Sequence, residues 1–193
     1  MTTLGRPLIA LAAGAAAVAL ALAGCATEPR GGAERLPGPV PDGVVFTPAS
    51  DAPNAPAVQG ELLDGTPITG EQLWDGRPAV LQFATSWCTR CAEQQPVLDE
   101  LADRYGDAVT IALVSGDPAD GVEELRAFLD EHDVEQPVVL DPELRVWRSY
   151  AVAEAPMTAL VDADGRLVKL WPGGADAAKL GDALEALVEL PGN

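Results

Sequence analysis

The chain has 193 residues, of which 30 are acidic and 12 basic, giving a formal charge of −18. That length suits one domain of ordinary size with extensions. The charge argues against nucleic acid as a partner and for a solvated acidic surface.

The first segment stands apart from the rest. "MTTLGRP" carries Arg6 and the amino terminus, "LIALAAGAAAVALALAG" follows without a charge, and small residues precede Cys25. A positive start, an apolar core and small residues describe a secretory signal peptide over 1–24. The chain turns polar at once afterwards, which argues against a simple membrane span. "LAGC", Leu22 to Cys25, resembles the lipobox of bacterial lipoproteins, in which the cysteine receives a lipid and becomes the first residue. The resemblance implies an extracytoplasmic lipoprotein held to the bilayer through Cys25. The membrane is the cell membrane or, since Ala26 follows the cysteine, the outer membrane of a two-membrane bacterium. Cys88 and Cys91 are then the only thiols of the mature domain, in a compartment where disulfides persist. Residues 25–55 hold "TEPRGGAERLPGPVPDG" and "TPASDAPNAP", without a hydrophobic period. They read as a Pro/Gly-rich tether with a mean reach of about 30 Å, with "VVFT" (Val44 to Thr47) the piece able to pack on the domain.

The domain is expected over 56–193. "AVQGELLDGTPIT" sets an Asp64-Gly65 turn between two extended pieces and predicts a hairpin. "AVLQFA", Ala79 to Ala84, is an apolar run suited to a buried strand. A helix is predicted from near Cys88, with Val97, Leu98, Leu101 and Tyr105 on one face and Pro96 kinking it. "VTIALV", Val109 to Val114, reads as a second buried strand. The helix after it, Asp120 to His132, presents Val122, Leu125, Phe128 and Leu129. "PVVL" is a third strand, and Pro142 opens a short helix. "TALVD" and "RLVKLW" flank an Asp164-Gly165 turn, and a last helix carries Leu180, Leu184, Leu187 and Val188. Strands alternating with helices and closing on a hairpin imply an α/β domain. Its central mixed β-sheet has helices on both faces and an added N-terminal β-hairpin.

Cys88 and Cys91, in "SWCTRC", admit a redox pair, half of a metal site or a structural staple. Zinc needs four ligands, and the only histidine, His132, falls at a predicted helix end where a solvated cap is the plainer reading. No metal and no other cofactor is expected. A ring this short constrains little of the unfolded chain, so a staple would add little. A redox pair fits better. The first thiol, at a helix start, faces unpaired N–H groups and the positive end of the dipole, which favour its thiolate. The second lies one turn on, placed to attack a mixed disulfide.

"VLQFATSWCTRCAEQQPVLDEL" and "APMTALVDADGRLVKLWPG" resemble thioredoxin-fold proteins, in particular membrane-tethered thiol-disulfide oxidoreductases of the TlpA/ResA (redoxin) type. The likeness spans nearly all of the domain and implies a thioredoxin-like fold. It implies Cys88 as the exposed nucleophile and Cys91 as the buried resolving thiol. Trp87 would shape the rim, while Thr89 and Arg90 lie between the sulfurs and tune their potential. It further implies a cis Ala155–Pro156 peptide opposite the cysteines, whose backbone pairs with an extended substrate. Partners on this reading are protein thiols and disulfides, of apocytochrome c or of secreted proteins generally, and a membrane or extracytoplasmic redox partner.

Some positions depart from that pattern. Thioredoxins place a buried carboxylate where this chain has Gln82, and the tethered family often has a glutamate where it has Gln94. An amide cannot take up a proton as a carboxylate does, so a slower reductant or an oxidant is expected. Arg90 replaces a proline common in the family; a cation there either lowers the thiolate pKa or is plain surface charge. Two rival functions bear on the same residues. A thiol peroxidase would need a proline where Leu81 stands, although Thr85 fits its pattern. A copper carrier of this fold spaces its cysteines as Cys-x-x-x-Cys and adds a histidine, and an inert metal-binding or scaffold domain would tolerate loss of both thiols.

Overall fold

Turn residues and apolar runs divide the chain into short elements. The computed structural model describes residues 30–192, apart from the side chain of Asp120. The expected signal peptide and the expected lipid site at Cys25 lie outside the described residues. Val45–Phe46 forms β1, and the Asp64-Gly65 turn joins β2 (Gln59–Leu62) to β3 (Pro67–Thr69). Gly65 has φ +84°, a conformation glycine adopts without a Cβ penalty. A capping box between Thr69 and Gln72 starts α1 (Gly70–Leu73). The three apolar runs give β4 (Ala79–Ala84), β5 (Thr110–Ser115) and β6 (Val138–Leu140). Between and after them lie α2 (Thr89–Tyr105), α3 (Val122–Glu131) and α4 (Arg145–Ser149). The hairpin of β7 (Met157–Val161) and β8 (Leu167–Pro172) follows, then α5 (Ala177–Glu185) and β9 (Val188–Glu189).

Seven strands form one mixed sheet in the order β3-β2-β6-β5-β4-β7-β8, with β4, β5 and β6 parallel. Every residue of β4 and β5 is buried, as a central strand covered on both faces requires. Alternation along β4 feeds two cores. Val80 and Ala84 face the layer containing α2, α3 and α5, with Leu98, Leu101, Leu129, Leu180 and Leu184. Ala79, Leu81 and Phe83 face α1 and α4, with Leu73, Trp147 and Tyr150. This is the expected α/β class, a mixed sheet between helical layers with a leading hairpin.

Three details differ from expectation. The short helix expected to open at Pro142 begins at Arg145, because the Asp141 carboxylate accepts from the N–H groups of Arg145 and Trp147 at 2.8 and 2.9 Å. Leu187 and Val188, placed in the last helix by their spacing, fall beyond its end at Glu185, and Val188 lies in β9 and pairs with Phe46. The third concerns the tether expected over 25–55. From Arg30 onward it lies along the domain as a strap.

The Arg30 guanidinium meets Asp130, Asp133 and Glu135 at 3.3, 3.2 and 2.7 Å. The Gly31 carbonyl accepts from Val138 N–H at 2.9 Å, and Ala33 N–H donates to Asp64 at 2.9 Å. That bond is the chief reason the Asp64 carboxyl sits below its ordinary pKa. The buried Arg77 donates to the carbonyls of Gly38 and Asp107, both at 2.7 Å. Ala49 N–H donates to Asp162, and Leu167 N–H to the Pro53 carbonyl. Main-chain hydrogen bonds and ion pairs fasten this strap together with scattered apolar contacts from Ala33, Leu36, Val44, Phe46 and Ala49, so its composition resembles that of a free linker.

Candidate active site

Strand β4 delivers the cysteines. It ends at Ala84; the turn Thr85 to Trp87 follows, and Cys88 caps the N-terminus of α2, its N–H donating to the Thr85 carbonyl at 3.1 Å. Cys91 N–H donates to the Cys88 carbonyl at 2.9 Å and to its sulfur at 3.1 Å. The two sulfurs are joined in a disulfide with their Cα atoms 5.2 Å apart. Cys88 is half-buried, whereas Cys91 is 4% exposed and belongs to the core beneath α2. One sulfur of the pair is therefore reachable and the other is not. A thiolate on Cys88 would meet the free N–H groups and dipole of a 17-residue helix. The arrangement supports thiol–disulfide exchange.

The antiparallel pairing of β4 with β7 sets Met157 opposite Phe83, which brings Ala155 and Pro156 to the same end of the sheet. The Ala155–Pro156 peptide bond is cis. A cleft of about 430 Å³ opens at this end and is lined by Trp87, Cys88, Thr89, Arg90, Trp147 and Glu154, with Ala155. Trp87 is 68% exposed, so it forms the rim rather than packing into the core. Arg90 lines the cleft, and its guanidinium donates to the Gly173 carbonyl at 3.0 Å. Gln94, one helical turn on, packs against Gly174: a Cβ there would lie 2.3 Å from its Oε1. With φ of +81° and +87°, Gly173 and Gly174 let the chain pass close under α2.

The model of the AhpC/TSA family matches residues 52–170, which include the disulfide and the cleft but not β1, the end of β8, α5 or β9. The chain belongs to the AhpC/TSA family. Within this family setting, it is 26% identical over 107 residues to the thiol-disulfide oxidoreductase ResA of Bacillus cereus, which covers 55% of this chain and 61% of that protein. The chain thus spans about three fifths of the length of that curated relative. Among solved structures it is similar to a secreted Mycobacterium tuberculosis disulfide oxidoreductase described as homologous to E. coli DsbE. That likeness has 27% identity and a TM-score of 0.58 and covers 67% of this chain and 96% of the other. It is also similar to the pneumococcal exposed lipoprotein thioredoxin Etrx1 of Streptococcus pneumoniae, with 25% identity and a TM-score of 0.58, over 67% and 98% of the two chains. The shared fold is thioredoxin-like.

In this AhpC/TSA domain the most unusual polar residue is Gln82. It is 1% exposed, on the face of β4 shared with Val80 and Ala84, in the same core layer as Cys91. Its Oε1 accepts from Thr158 Oγ1 at 2.7 Å, and Thr158 in turn accepts from Ala175 N–H at 3.2 Å. The Gln82 Nε2 has no hydrogen-bond partner among the described residues. A buried donor left so costs about 1–3 kcal/mol, and the amide offers no proton acceptor of carboxylate strength. Gln82→Glu keeps the shape and the Thr158 bond and adds an ionisable group whose pKa burial raises. The expected result is peptide-disulfide reduction about tenfold faster near neutral pH. A stability loss of about 2 kcal/mol in urea unfolding should accompany it. An unchanged rate would show that the missing carboxylate is not what limits exchange.

The sequence reading missed Asp117. It is 4% exposed and its carboxylate accepts from Ser86 N–H at 3.1 Å, from Ser86 Oγ at 2.5 Å and from Ser115 Oγ at 2.8 Å. This clamps the turn that carries Trp87 and Cys88. The available signal was "VSGDP": β5 is parallel to β4, so an acid just past its end must arise beside the cysteine turn. Thr158 was equally hidden, since only the β4–β7 register sets it opposite Gln82. His132 caps the end of α3, with its ring edge-on to Phe128 at 4.7 Å.

Proposed function

We propose that this chain is an extracytoplasmic thiol-disulfide oxidoreductase of the TlpA/ResA type, tethered to a bacterial membrane by lipid on Cys25 after removal of residues 1–24. Cys88 is the attacking sulfur and Cys91 the resolving one. In one direction the Cys88 thiolate attacks a client disulfide, forming a mixed disulfide and releasing one client thiol. Cys91 then attacks Cys88, releasing the second thiol and leaving the protein oxidised. The reverse sequence installs a disulfide in the client. Ala155, joined to Pro156 by the cis peptide bond, borders the cleft in which the client backbone lies, while Trp87, Thr89 and Arg90 form its walls. Clients are protein thiols and disulfides, of apocytochrome c or of secreted proteins, and a membrane or extracytoplasmic partner resets the pair.

The observation that carries this reading is the disulfide across the first turn of α2, with Cys88 open to a cleft and Cys91 sealed in the core. The secreted and lipoprotein relatives support the compartment and the anchor. The peroxidase reading has less support, because Leu81 stands where that pattern has proline. For a metal-binding domain, no three His, Cys, Asp or Glu side chains gather as a candidate metal site among the described residues.

The test is the reduction potential of a soluble form starting at Ala26, equilibrated with glutathione. A value near about −270 mV makes it a reductant, and one near about −120 mV makes it an oxidant of secreted clients. A pair that does not titrate reversibly would overturn the exchange reading.

A further inference from the structure

Beyond the cleft at Cys88, two more depressions open at the end of the sheet where the parallel strands finish. The nearer, of about 270 Å³, shares Trp87 with the cysteine cleft and continues over Asp117 and Pro118. The farther, of about 540 Å³, shares Asp117 and Pro118 with the second and reaches β2 and the start of α4. The three form a continuous run leading away from the reactive sulfur. Its far floor is apolar, made by Pro118, Val122, Leu125 and Leu140.

The charges along this run follow a pattern. Each depression contributes one exposed carboxylate that has no ion-pair partner among the described residues: Glu154 beside Cys88, Glu124 in the middle and Glu61 at the far end. The positive groups nearby are already engaged. Arg90 donates to Gly173, and Arg145 pairs with Glu143. Asp117 is bound up with Ser86 and Ser115, so it shapes the wall and is not free to meet a ligand.

We propose that this run is a subsite for the client polypeptide, which takes an extended segment of mixed basic and aliphatic residues flanking the client's cysteine. The inference rests on the exchange reading and names the clients that reading left open. Aliphatic side chains fill the far floor, where burial of apolar area stabilises them. Lysine or arginine side chains reach Glu154, Glu124 and Glu61 at the rim, where solvent-exposed pairs add selectivity and speed encounter more than they add affinity.

The test uses purified, reduced protein and peptides whose single cysteine is blocked as a mixed disulfide with glutathione. The net reaction converts protein dithiol and peptide–glutathione disulfide to protein disulfide, peptide thiol and glutathione, so no other reductant is consumed. One peptide carries Lys and Leu around the cysteine, and the other carries Glu and Leu. The unmodified protein should react with the basic peptide about tenfold faster, as a second-order single-turnover rate constant at low salt, with the preference shrinking in 0.5 M salt, about the range where such pairs are screened. In the double variant Glu61→Lys, Glu124→Lys the ratio should fall to about one or reverse, while Glu131→Lys, an exposed charge outside the run, keeps it. Equal rates for both peptides with the unmodified protein, or an unaltered ratio in the double variant, would overturn the subsite. Failure of the unmodified protein to react with glutathione disulfide itself would overturn the exchange reading beneath it.

Discussion

Cys88→Ser is expected to abolish disulfide exchange, lowering the rate by at least about a thousandfold, because the hydroxyl left at the mouth of the cleft is not a nucleophile at neutral pH. Cys91→Ser should behave differently. Its Cys88 thiolate still attacks, but no second sulfur lies behind it, so the client remains attached as a mixed disulfide. The measurement is mass spectrometry of each variant after incubation with a peptide disulfide. An adduct is expected on Cys91→Ser and none on Cys88→Ser. The contrast follows from exposure: Cys88 lines the cleft, whereas Cys91 is 4% exposed within the core. An adduct on Cys88→Ser instead would reverse the two roles.

Phe83→Ala should be the most damaging single change to the fold. Phe83 is fully buried in β4 and packs its ring against Trp147 at 5.9 Å and Tyr150 at 5.2 Å. Truncating a buried phenylalanine costs about 3–5 kcal/mol, a large share of the roughly 5–15 kcal/mol that holds a domain of this size. Trp147 also walls the cysteine cleft, fixed by its indole N–H on the Val114 carbonyl at 3.1 Å. Loss of the Phe83 ring frees one side of that wall, so KM for a peptide client should rise together with the drop in urea midpoint. Phe83→Leu, which retains most of the volume, should lose less than half as much stability. Equal losses for both variants would argue that the aromatic contacts, not the volume, hold this layer.

Much of the sheet could be read in advance because its central strands are short apolar runs bounded by turn residues. "AVLQFA" forms a strand over the full span expected, and the Asp64-Gly65 and Asp164-Gly165 turns fall inside hairpins. The cysteine pair was legible for a similar reason: its chemistry is written in four consecutive residues. Contacts made across the chain were not. Asp117 lies 29 positions after Cys88 and joins its turn only through the β4–β5 register. Val188 has helical spacing from Leu184, yet pairing with Phe46 draws it into a strand. The segment from Arg30 to Ala55 carries no periodic signal, because backbone groups, charges and only irregularly spaced apolar residues such as Leu36, Val44 and Phe46 hold it down. Periodicity records which faces are apolar, and it says nothing of a segment bound by its main chain.

That strap bears on how the domain stands above a membrane. Arg30 and Gly31 are fastened beside Val134 and Val138, where β6 begins, while the cysteines lie where the parallel strand β4 ends. Through the registers of β5, Val138 stands level with Gln82, two residues short of the end of β4. On the proposed attachment at Cys25, five residues, Cys25 to Pro29, separate lipid from Arg30, the first fastened among the described residues, and span at most about 17 Å. On that attachment the domain would ride low over the headgroups, and the cysteines could stand no farther from them than about the width of a domain. Clients would be met close to the membrane surface, within reach of a redox partner embedded in it.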